Sequence, residues 1–221
     1  MGDHLSQLKT LIEFRKKNPA PVDTMGCHVQ GTAEDPADQR FQILIGLMLS
    51  SQTRDQMTNQ AMNNLKQLKG GCTALSLSST PEEAIIEKIR CVGFYKTKAG
   101  RVKKVAQYCL TNHNGDIPRD YDELLTLPGV GVKMATLAMS ACWNVSQGIG
   151  VDVHVHKIAN RLGWVDTKTP LQTEKKLQEL FPKEMWNDVN ETLVGFGQTV
   201  CKAKPLCNKC PLKDSCSFAN E

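Results

Sequence analysis

The sequence predicts an all-α protein, and three observations support this fold class. Apolar residues recur in many segments with the three-to-four-residue spacing of an amphipathic helix. Helix-start signals precede several of these segments, for example Thr80-Pro81-Glu82-Glu83, which is typical of a capping box with proline in the first turn. Finally, no part of the chain gives a convincing run of strands.

The N-terminal part is expected to start with a short helix around residues 5–12, followed by a long loop rich in proline and glycine. Phe41–Leu49 is apolar on nearly all sides, so we predict a central buried helix there. This helix ends in the polar segment Ser50–Asp55. Polar residues at the end of a buried helix are often functional, although capping is the commoner explanation.

The composition is that of a globular protein, with 221 residues, 40% hydrophobic and 23% charged residues, and a net charge of +4. This length allows one large domain or two small ones. No apolar run approaches the roughly 20 residues that a membrane span requires. The first ten residues show neither the apolar core of a signal peptide nor an Arg-rich transit pattern, so we expect an intracellular protein.

Positive charge is concentrated in one segment that contains no acidic residue and surrounds the Gly-Phe-Tyr sequence at 93–95. Its basic residues are Lys88, Arg90, Lys96, Lys98, Arg101, Lys103 and Lys104. Basic residues interleaved with aromatic ones suit a phosphate backbone and a stacking or intercalating contact. A merely solvated helix face would show the same charges.

The stretch Leu127–Ala135, LPGVGVKMA, combines a glycine-rich turn with the start of a helix. Pro128 restricts one backbone angle, whereas Gly129 and Gly131 permit conformations that other residues resist. Such a turn aims several backbone N–H groups at one phosphate. Together with the helices on either side, it makes a phosphate-binding helix-hairpin-helix unit.

Lys133 lies in the first turn of the second helix of this unit. Helical spacing places the apolar stripe of that helix on Met134, Leu137, Ala138 and Ala141, so the lysine is predicted to lie outside it. Near the positive end of a helix dipole an amine is easier to deprotonate and becomes a better nucleophile. The alternative is a solvated lysine that follows a loop.

Residues 149–162 show two competing periods, which we interpret as extended residues followed by a helix that Asp152 caps. His154, Lys157 and Arg161 share one face of this helix, which suits a phosphate. A structural role for His154 and a plain N-cap role for Asp152 remain open. Capping would not prevent the Asp152 carboxylate from also facing a site.

The nine cysteines fall into two groups. We expect the five isolated ones, Cys27, Cys72, Cys91, Cys109 and Cys142, to be buried as small apolar residues. The other four form a C-x5-C-x2-C-x5-C pattern at Cys201, Cys207, Cys210 and Cys216. In an intracellular chain this pattern indicates a metal or cluster site rather than a disulfide framework.

The LPGVGVKMA stretch, the Asp152 motif 19 residues after Lys133 and the four terminal cysteines together resemble the endonuclease III family of DNA repair glycosylases. The resemblance spans most of the chain. It implies a helix-hairpin-helix glycosylase fold in which two all-α domains flank a DNA-binding cleft. Residues 39–143 are then expected to form a helical barrel domain with the hairpin, and residues 1–38 and 144–221 a second domain with an iron-sulfur cluster loop at 201–216.

The resemblance also implies an activity, that of a bifunctional DNA glycosylase and AP lyase of base excision repair. Such an enzyme removes oxidised pyrimidines from duplex DNA through a lysine Schiff base and cleaves 3′ to the abasic site by β-elimination. Lys133 matches the family's nucleophile. Asp152 matches the aspartate that accepts the lysine's proton and stabilises positive charge on the sugar.

Further site residues follow from the same resemblance. Gln52 matches a glutamine that fills the gap left by the flipped base, and Phe94 lies where an apolar wedge enters the DNA. Phosphate binding, sometimes with a monovalent ion, is expected at the hairpin residues Leu127, Gly129, Val130 and Gly131. His154 is expected among the DNA-contacting residues.

The four terminal cysteines resemble the ligands of the family's [4Fe-4S] cluster. Their first gap is one residue shorter than the family pattern, which affects the expected geometry of the cluster, and a zinc site is the chemical alternative. Two other departures are Val153, where the family has a threonine, and Val132, where Pro or Arg often precedes the lysine. The lysines around the cluster are expected to approach the DNA backbone, namely Lys202, Lys204, Lys209 and Lys213.

The expected partner is double-stranded DNA that carries damaged pyrimidines or abasic sites, bound by a monomer. If the protein is eukaryotic, the nucleus is the expected compartment, with the mitochondrion as a further one. Two other functions remain as alternatives. One is a monofunctional adenine-type glycosylase of the same fold, although those enzymes lack this lysine and usually carry a further C-terminal recognition domain. The other is a non-catalytic DNA-binding module with a structural metal site formed by the four terminal cysteines.

Overall fold

The computed structural model describes residues 4–26 and 29–219. Within these ranges the regular structure is helical and no strand occurs, which confirms the predicted all-α class. The helices are α1 (His4–Lys17), α2 (Pro21–Met25), α3 (Pro36–Ser50), α4 (Asp55–Lys66), α5 (Ala74–Ser79), α6 (Glu82–Lys88), α7 (Tyr95–His113), α8 (Tyr121–Thr126), α9 (Val132–Trp143), α10 (Val153–Arg161), α11 (Pro170–Leu180) and α12 (Trp186–Thr199). None of the helices in the described ranges has the length and apolarity needed to cross a membrane.

The chain divides into two compact units. The first unit is Thr24–Val145, and the second consists of Met1–Asp23 together with Ser146–Glu221. Each has its own apolar core: α3 runs through the core of the first unit, whereas α1, α10 and α12 pack together in the core of the second.

Helix α3 is the buried helix that the apolar run predicts. It begins after Asp35, whose side chain accepts hydrogen bonds from the backbone N–H groups of the first turn, and every residue of Phe41–Leu49 is buried. The one polar member, Gln42, is satisfied because its amide oxygen accepts a hydrogen bond from the Thr32 N–H at 2.9 Å. Since α4, α7 and α9 all contact α3, apolar side chains are required on nearly all of its sides.

The predicted apolar stripe of α9 is partly wrong. Ala138 is buried as expected, but Ala141 is exposed, and Met134 and Leu137 are only half-buried. The most buried residues of the helix are instead Ala135, Thr136, Ala138 and Met139. The buried face is set by contacts with both α3 and α8, and it is rotated by about one residue, or roughly 100°, from the face that spacing alone predicts. Lys133 remains outside it and is exposed.

The predicted capping box at Thr80-Pro81-Glu82-Glu83 is also wrong. The Thr80 hydroxyl donates to the backbone carbonyl of Ser76 at 2.7 Å, so this side chain finishes α5 instead of starting α6. Helix α6 begins at Glu82 with Pro81 in the capping position and no side-chain cap. A threonine between two short helices can donate to a carbonyl at the end of the first or accept from an N–H at the start of the second, and here it donates to the preceding carbonyl.

The isolated cysteines follow the prediction only in part. Cys72 and Cys109 are buried, whereas Cys91 and Cys142 are half-buried. Cys27 lies outside the described residues.

Candidate active site

The hairpin between α8 and α9 is held by two apolar side chains. Leu127 is 3% exposed and Val130 is 7% exposed, and the Val130 N–H donates to the Leu127 carbonyl at 3.1 Å. Gly129 and Gly131, by contrast, are exposed. Because the side chains of Leu127 and Val130 point into the core, the hairpin has mainly its backbone to offer to a ligand.

The two glycines of the hairpin differ in what they require. Gly129 has a φ of +90°, and a Cβ there would lie 2.7 Å from Cδ of Arg101 in α7. Gly131 has an ordinary extended backbone and no atom within 4 Å of its ideal Cβ position. The sequence placed Arg101 only in a general basic run, whereas the structure places its side chain directly against the hairpin.

Lys133 lies in the first turn of α9, immediately after the hairpin. No side-chain cap is formed at this helix N-terminus, which starts from Gly131. The N-terminus of a helix directs unpaired backbone N–H groups outward and favours negative charge. The exposed Lys133 amine is therefore positioned where a phosphate-bearing ligand would be attracted.

Asp152 is the N-cap of α10, as the sequence predicts. Its Oδ1 accepts a hydrogen bond from the Val155 N–H at 2.9 Å, and its backbone is extended. The residues directly before it lie outside any helix, and the buried Asn190 side chain donates to the Gly150 carbonyl. The carboxylate is half-buried, so the cap fixes its position without removing it from solvent.

His154 and Arg161 in α10 are both engaged within the second unit. A Cβ at Gly197 of α12 would lie 2.5 Å from Nδ1 of His154, so this ring packs closely against that helix. The Arg161 guanidinium donates to the carbonyl groups of Lys202 at 2.7 Å and Ala203 at 3.1 Å. The predicted phosphate-binding face of His154, Lys157 and Arg161 is therefore wrong for Arg161, because its guanidinium group donates to carbonyl groups of the C-terminal loop.

Gln52 and Phe94 come from loops 42 residues apart in sequence, and the structure brings these loops together in the first unit. The Gly93 N–H donates to Thr53 Oγ1 at 3.1 Å, and a Cβ at Gly93 would lie 2.9 Å from the carbonyl oxygen of Gln52. Both Gln52 and Phe94 have a positive φ, of 50° and 55°. Their side chains are exposed, with Phe94 at 67%.

Lys98 differs most from its predicted environment. The sequence assigns it to a basic run that suits either a phosphate backbone or a solvated helix face. Lys98 is instead only 5% exposed, and its ammonium group donates to the carbonyls of Leu49 and Ser51 at 2.6 and 2.7 Å. Burial lowers the pKa of this amine to about 8. No periodicity or motif in the sequence would have indicated this role, since it depends on chain folded back from α3.

The four C-terminal cysteines line one pocket with apolar neighbours that include Leu162 and Val200. Hydrogen-bond donors approach two of the sulfurs: Arg161 Nη1 lies 3.5 Å from Cys201 Sγ, and the Leu212 N–H lies 3.4 Å from Cys210 Sγ. Burial raises the pKa of both thiols, and these two donors oppose the rise. Donors to sulfur and an apolar lining are the features that proteins use to hold and tune iron-sulfur clusters.

The chemistry of four cysteine thiols suits either an iron-sulfur cluster or a single zinc ion. Across residues 4–26 and 29–219, no three His, Cys, Asp or Glu side chains converge closely enough to hold one metal ion. A zinc ion needs four ligands around one point, each at about 2.3 Å for sulfur. In a [4Fe-4S] cluster each cysteine binds a different iron, so the four cysteine sulfurs lie farther apart than they do around one zinc ion.

Comparison with known proteins identifies the family. A protein-family model described as "HhH-GPD superfamily base excision DNA repair protein" matches residues 45–183, more than half of the chain. Endonuclease III homolog 1, chloroplastic, of Arabidopsis thaliana is 44% identical over 220 residues, which cover 96% of this chain and 58% of that protein. The chain thus spans a little more than half the length of this relative.

Two further comparisons agree with this match. Endonuclease III-like protein 1 of Mus musculus is 42% identical over 219 residues, covering 97% of this chain and 72% of that protein. A solved structure of a trapped endonuclease III–DNA covalent intermediate is 31% identical with a TM-score of 0.81, covering 100% of this chain and 98% of that one. The hairpin with its lysine, the capping aspartate and the cysteine pocket therefore lie in a chain that belongs to the HhH-GPD superfamily of base excision DNA repair proteins and, within it, to the endonuclease III family.

Proposed function

We propose that this chain is a bifunctional DNA glycosylase and AP lyase that removes oxidised pyrimidines from duplex DNA. The observation that carries the proposal is the exposed lysine, Lys133, placed in the first turn of α9 directly after a hairpin with exposed glycine backbone. The similarity to an endonuclease III that forms a trapped covalent intermediate with DNA supports it. A lysine there combines an amine nucleophile with a neighbouring phosphate-binding backbone.

The proposed reaction begins when the damaged base leaves the duplex stack. The neutral amine of Lys133 attacks C1′ of the nucleotide, the bond from C1′ to the base breaks, and the base departs with the bonding electrons and a proton. Loss of the amine proton and opening of the sugar ring give a Schiff base between Nζ and C1′. Removal of a C2′ proton then expels the 3′ phosphate by β-elimination, and water hydrolyses the Schiff base.

We assign Asp152 the acid-base and electrostatic part of this reaction. Its carboxylate accepts the proton that Lys133 loses and stabilises the positive charge that develops on the sugar. The hydrogen bond from the Val155 N–H supports this assignment, because a capped carboxylate is held in one orientation before the substrate binds. Preorganised charge of this kind needs no rearrangement during the reaction.

The remaining DNA contacts are assigned to three places in the fold. The backbone of the hairpin residues Leu127, Gly129, Val130 and Gly131 binds a phosphate, and Arg101 adds a cation beside it. Gln52 fills the gap left by the flipped nucleotide, and Phe94 enters the stack as a wedge. His154 is assigned a DNA contact as well, and close packing against Gly197 fixes the position of its ring.

We infer that Cys201, Cys207, Cys210 and Cys216 hold a [4Fe-4S] cluster. When bound, the cluster would cross-link the C-terminal loop and position it. The exposed lysines of that loop would then contribute charge toward the DNA backbone, namely Lys202, Lys204, Lys209 and Lys213. Protein purified from iron-replete cells under anaerobic conditions should contain about four irons per chain, whereas stoichiometric zinc without iron would overturn this assignment.

The proposed working form is a monomer that acts on duplex DNA inside the cell. Relatives from an animal and a plant support nuclear or organellar DNA as the substrate. Localisation of the tagged chain in its native host would test this, and exclusive secretion would contradict it.

Covalent trapping tests the catalytic proposal. The chain is incubated with duplex DNA that contains thymine glycol or an abasic site, borohydride is added, and the protein–DNA adduct is quantified. We expect an adduct with wild type that disappears in Lys133→Gln. It should persist in Lys175→Gln, which alters an exposed lysine in α11 and serves as the matched control.

The same assay separates the two alternatives. A monofunctional glycosylase would release base from a lesion but give no adduct and no strand cleavage. A non-catalytic module would bind damaged duplex without releasing base or forming an adduct. Either result would contradict the proposed lyase.

A further inference from the structure

Two exposed residues of the first unit have a backbone conformation that their residue types rarely adopt. In the described ranges four non-glycine residues have positive φ, and two of these, Asn114 and Asn144, end α7 and α9, where a left-handed residue is usual. The other two are Gln52 and Phe94. Neither residue ends a helix, so the surrounding structure must hold these strained conformations in place.

The side chain of Lys98 holds the loop that contains Gln52. Its Nζ donates to the carbonyl oxygens of Leu49 and Ser51 and to Thr53 Oγ1, at 2.6, 2.7 and 3.1 Å. These three acceptors match the three donors of an ammonium group. They come from the end of α3 and from both sides of Gln52, so one side chain fixes the path of the backbone through Gln52.

The backbone of Lys98 holds Phe94. Helix α7 starts immediately after Phe94, and the Lys98 N–H donates to the Phe94 carbonyl at 3.0 Å in its first turn. Lys98 therefore makes hydrogen bonds to both loops, one set through its side chain and one through its main chain. The main-chain bond does not depend on residue type, but the side-chain bonds depend on a lysine at this position, one helical turn after the wedge position.

Thr53 completes the connection between the loops. Its hydroxyl oxygen accepts from Lys98 Nζ and from the Gly93 N–H, and the hydroxyl donates to the Ser51 carbonyl at 3.2 Å. Gly93 lies so close to the Gln52 carbonyl that a Cβ would approach it to 2.9 Å. The loop of Gln52 and the loop of Phe94 are thus linked in two ways, by direct contact at Gly93 and by the two hydrogen bonds that Thr53 Oγ1 accepts.

The environment of Lys98 favours a positioning role over a contact with DNA. The residue is 5% exposed, and its ammonium donors point to protein oxygens. Burial is the cause that lowers the pKa of this amine to about 8, so at neutral pH it remains charged and retains all three donors. Within residues 4–26 and 29–219 these acceptors are protein oxygens of carbonyl and hydroxyl groups and not of a carboxylate, and a buried cation is tolerated only where such acceptors satisfy it.

We propose that Lys98 is a positioning residue that fixes Gln52 and Phe94 as one unit, so that both side chains enter the DNA together. The proposal rests on the function proposed above, in which these two residues fill the gap and act as a wedge. It extends that function, because the buried ammonium group of Lys98 would hold Gln52 and Phe94 in place before either side chain enters the DNA. Lys98 acts through the two loops and does not itself touch the DNA.

The test compares Lys98→Met, which keeps the length of the side chain but removes its donors, with Lys103→Met. Lys103 is the matched control because it lies on the same helix and donates to a backbone carbonyl, that of Thr80 at 2.8 Å, away from the two loops. All proteins also carry Lys133→Gln, so that binding is measured without chemistry. The probe is a duplex with an abasic-site analogue opposite 2-aminopurine, whose fluorescence rises when the base is unstacked.

We expect Lys98→Met to lose most of the fluorescence change and to bind the abasic duplex about 10- to 100-fold more weakly, because small displacements of positioned groups have effects of this size. Binding of Lys98→Met to undamaged duplex should change less than twofold. Lys103→Met should keep the full fluorescence change and the parent's preference for the abasic duplex, even if loss of its charge weakens binding to both duplexes equally. A merely structural defect would weaken binding to both duplexes alike and lower the helical circular dichroism signal.

A double-mutant comparison with Phe94→Ala provides a second readout. If Lys98 acts through the wedge, adding Lys98→Met to Phe94→Ala should cost much less than it costs alone. Additive effects, or an unchanged fluorescence signal in folded Lys98→Met, would overturn the proposal. If Lys98→Met does not fold, Thr53→Val replaces it, with Thr53→Ser as the conservative rescue, and the same outcomes decide.

Failure of the underlying function gives a different result. If the parent protein binds the abasic duplex without a fluorescence change, Gln52 and Phe94 do not insert, and the wedge assignment and the positioning proposal fail together. If the parent gives the signal and Lys98→Met gives it equally, only the positioning proposal fails.

Discussion

Arg161 connects α10 to the cysteine loop through Cys201, whose Sγ lies 3.5 Å from Arg161 Nη1. The same guanidinium donates to the carbonyls of Lys202 and Ala203, and it lies over the Phe218 ring with 4.6 Å between Cζ and the ring centroid. From the other side, the Cys216 thiol donates to the Arg161 carbonyl at 3.5 Å. One arginine thus contacts both ends of the segment that carries the four cysteines.

We predict that Arg161→Ala loosens this loop. Hydrogen bonds that involve a charged donor contribute about 1.5–3 kcal/mol each, so their loss should lower the free energy of unfolding and speed the release of iron from the proposed cluster to a chelator. Iron release followed by visible absorbance, together with urea unfolding, checks this. Arg161→Lys, which keeps the charge but not the fork geometry, should give an intermediate result; equal iron release in all three proteins would contradict the prediction.

Substitutions of Asp152 should distinguish its role as a helix cap from its proposed role in catalysis. Asparagine caps helices about as well as aspartate, whereas alanine costs about 1 kcal/mol, so Asp152→Asn should leave the free energy of unfolding nearly unchanged and Asp152→Ala should lower it. Both variants lose the charge, and both should reduce the single-turnover rate of base release by about 10²- to 10⁴-fold. A normal rate in folded Asp152→Asn would leave the aspartate as a plain N-cap.

Gly129 and Gly131 should respond differently to alanine. Gly129→Ala introduces a Cβ at a φ of +90° and 2.7 Å from Arg101 Cδ, so it should lower the free energy of unfolding by about 1–2 kcal/mol and weaken binding to duplex DNA. Gly131→Ala is the matched control, because its backbone is extended and its Cβ position is open. Its unfolding free energy should stay within about 0.5 kcal/mol of wild type. Thermal or urea unfolding and a binding titration at fixed salt measure both effects, and equal losses in the two variants would contradict this distinction.

Three thiols of the first unit should make the protein less stable at alkaline pH. Burial raises the pKa of Cys72, Cys109 and Cys142 to about 12, whereas an unfolded thiol titrates near ~8.5. Between these values the native state binds more protons than the unfolded state, so the free energy of unfolding falls as pH rises. This contribution is fully present below about pH 8.5.

Substitution of one thiol checks the sign of this effect. Cys109→Ala should show a smaller decrease in unfolding free energy than wild type when urea unfolding is repeated between pH 8 and pH 10.5, values that span the start of the roughly 8.5–12 window. Taking the difference between the two proteins cancels the other groups that titrate in this range. A decrease of the same size in both proteins would show that Cys109 does not contribute.

The sequence alone determined the features that depend on neighbouring residues. The all-α class, the buried helix at Phe41–Leu49, the cap at Asp152 and the exposure of Lys133 next to a glycine turn were all predicted from spacing and residue type. These features follow from helical periodicity and from backbone groups that must be satisfied within a few residues. Local sequence patterns therefore determine these features without reference to tertiary contacts.

Tertiary structure decided the environment of those side chains whose hydrogen-bond partners come from distant segments of the chain. The partners of Lys98 come from the end of α3 and from the loop after it, 45 to 49 residues earlier in the chain, and Lys98 is buried against them. Arg161 turns to carbonyls about 40 residues away instead of forming part of a phosphate face. The reason is that desolvation and hydrogen bonding of a charged side chain depend on which oxygens the fold brings near it, and no local period records that.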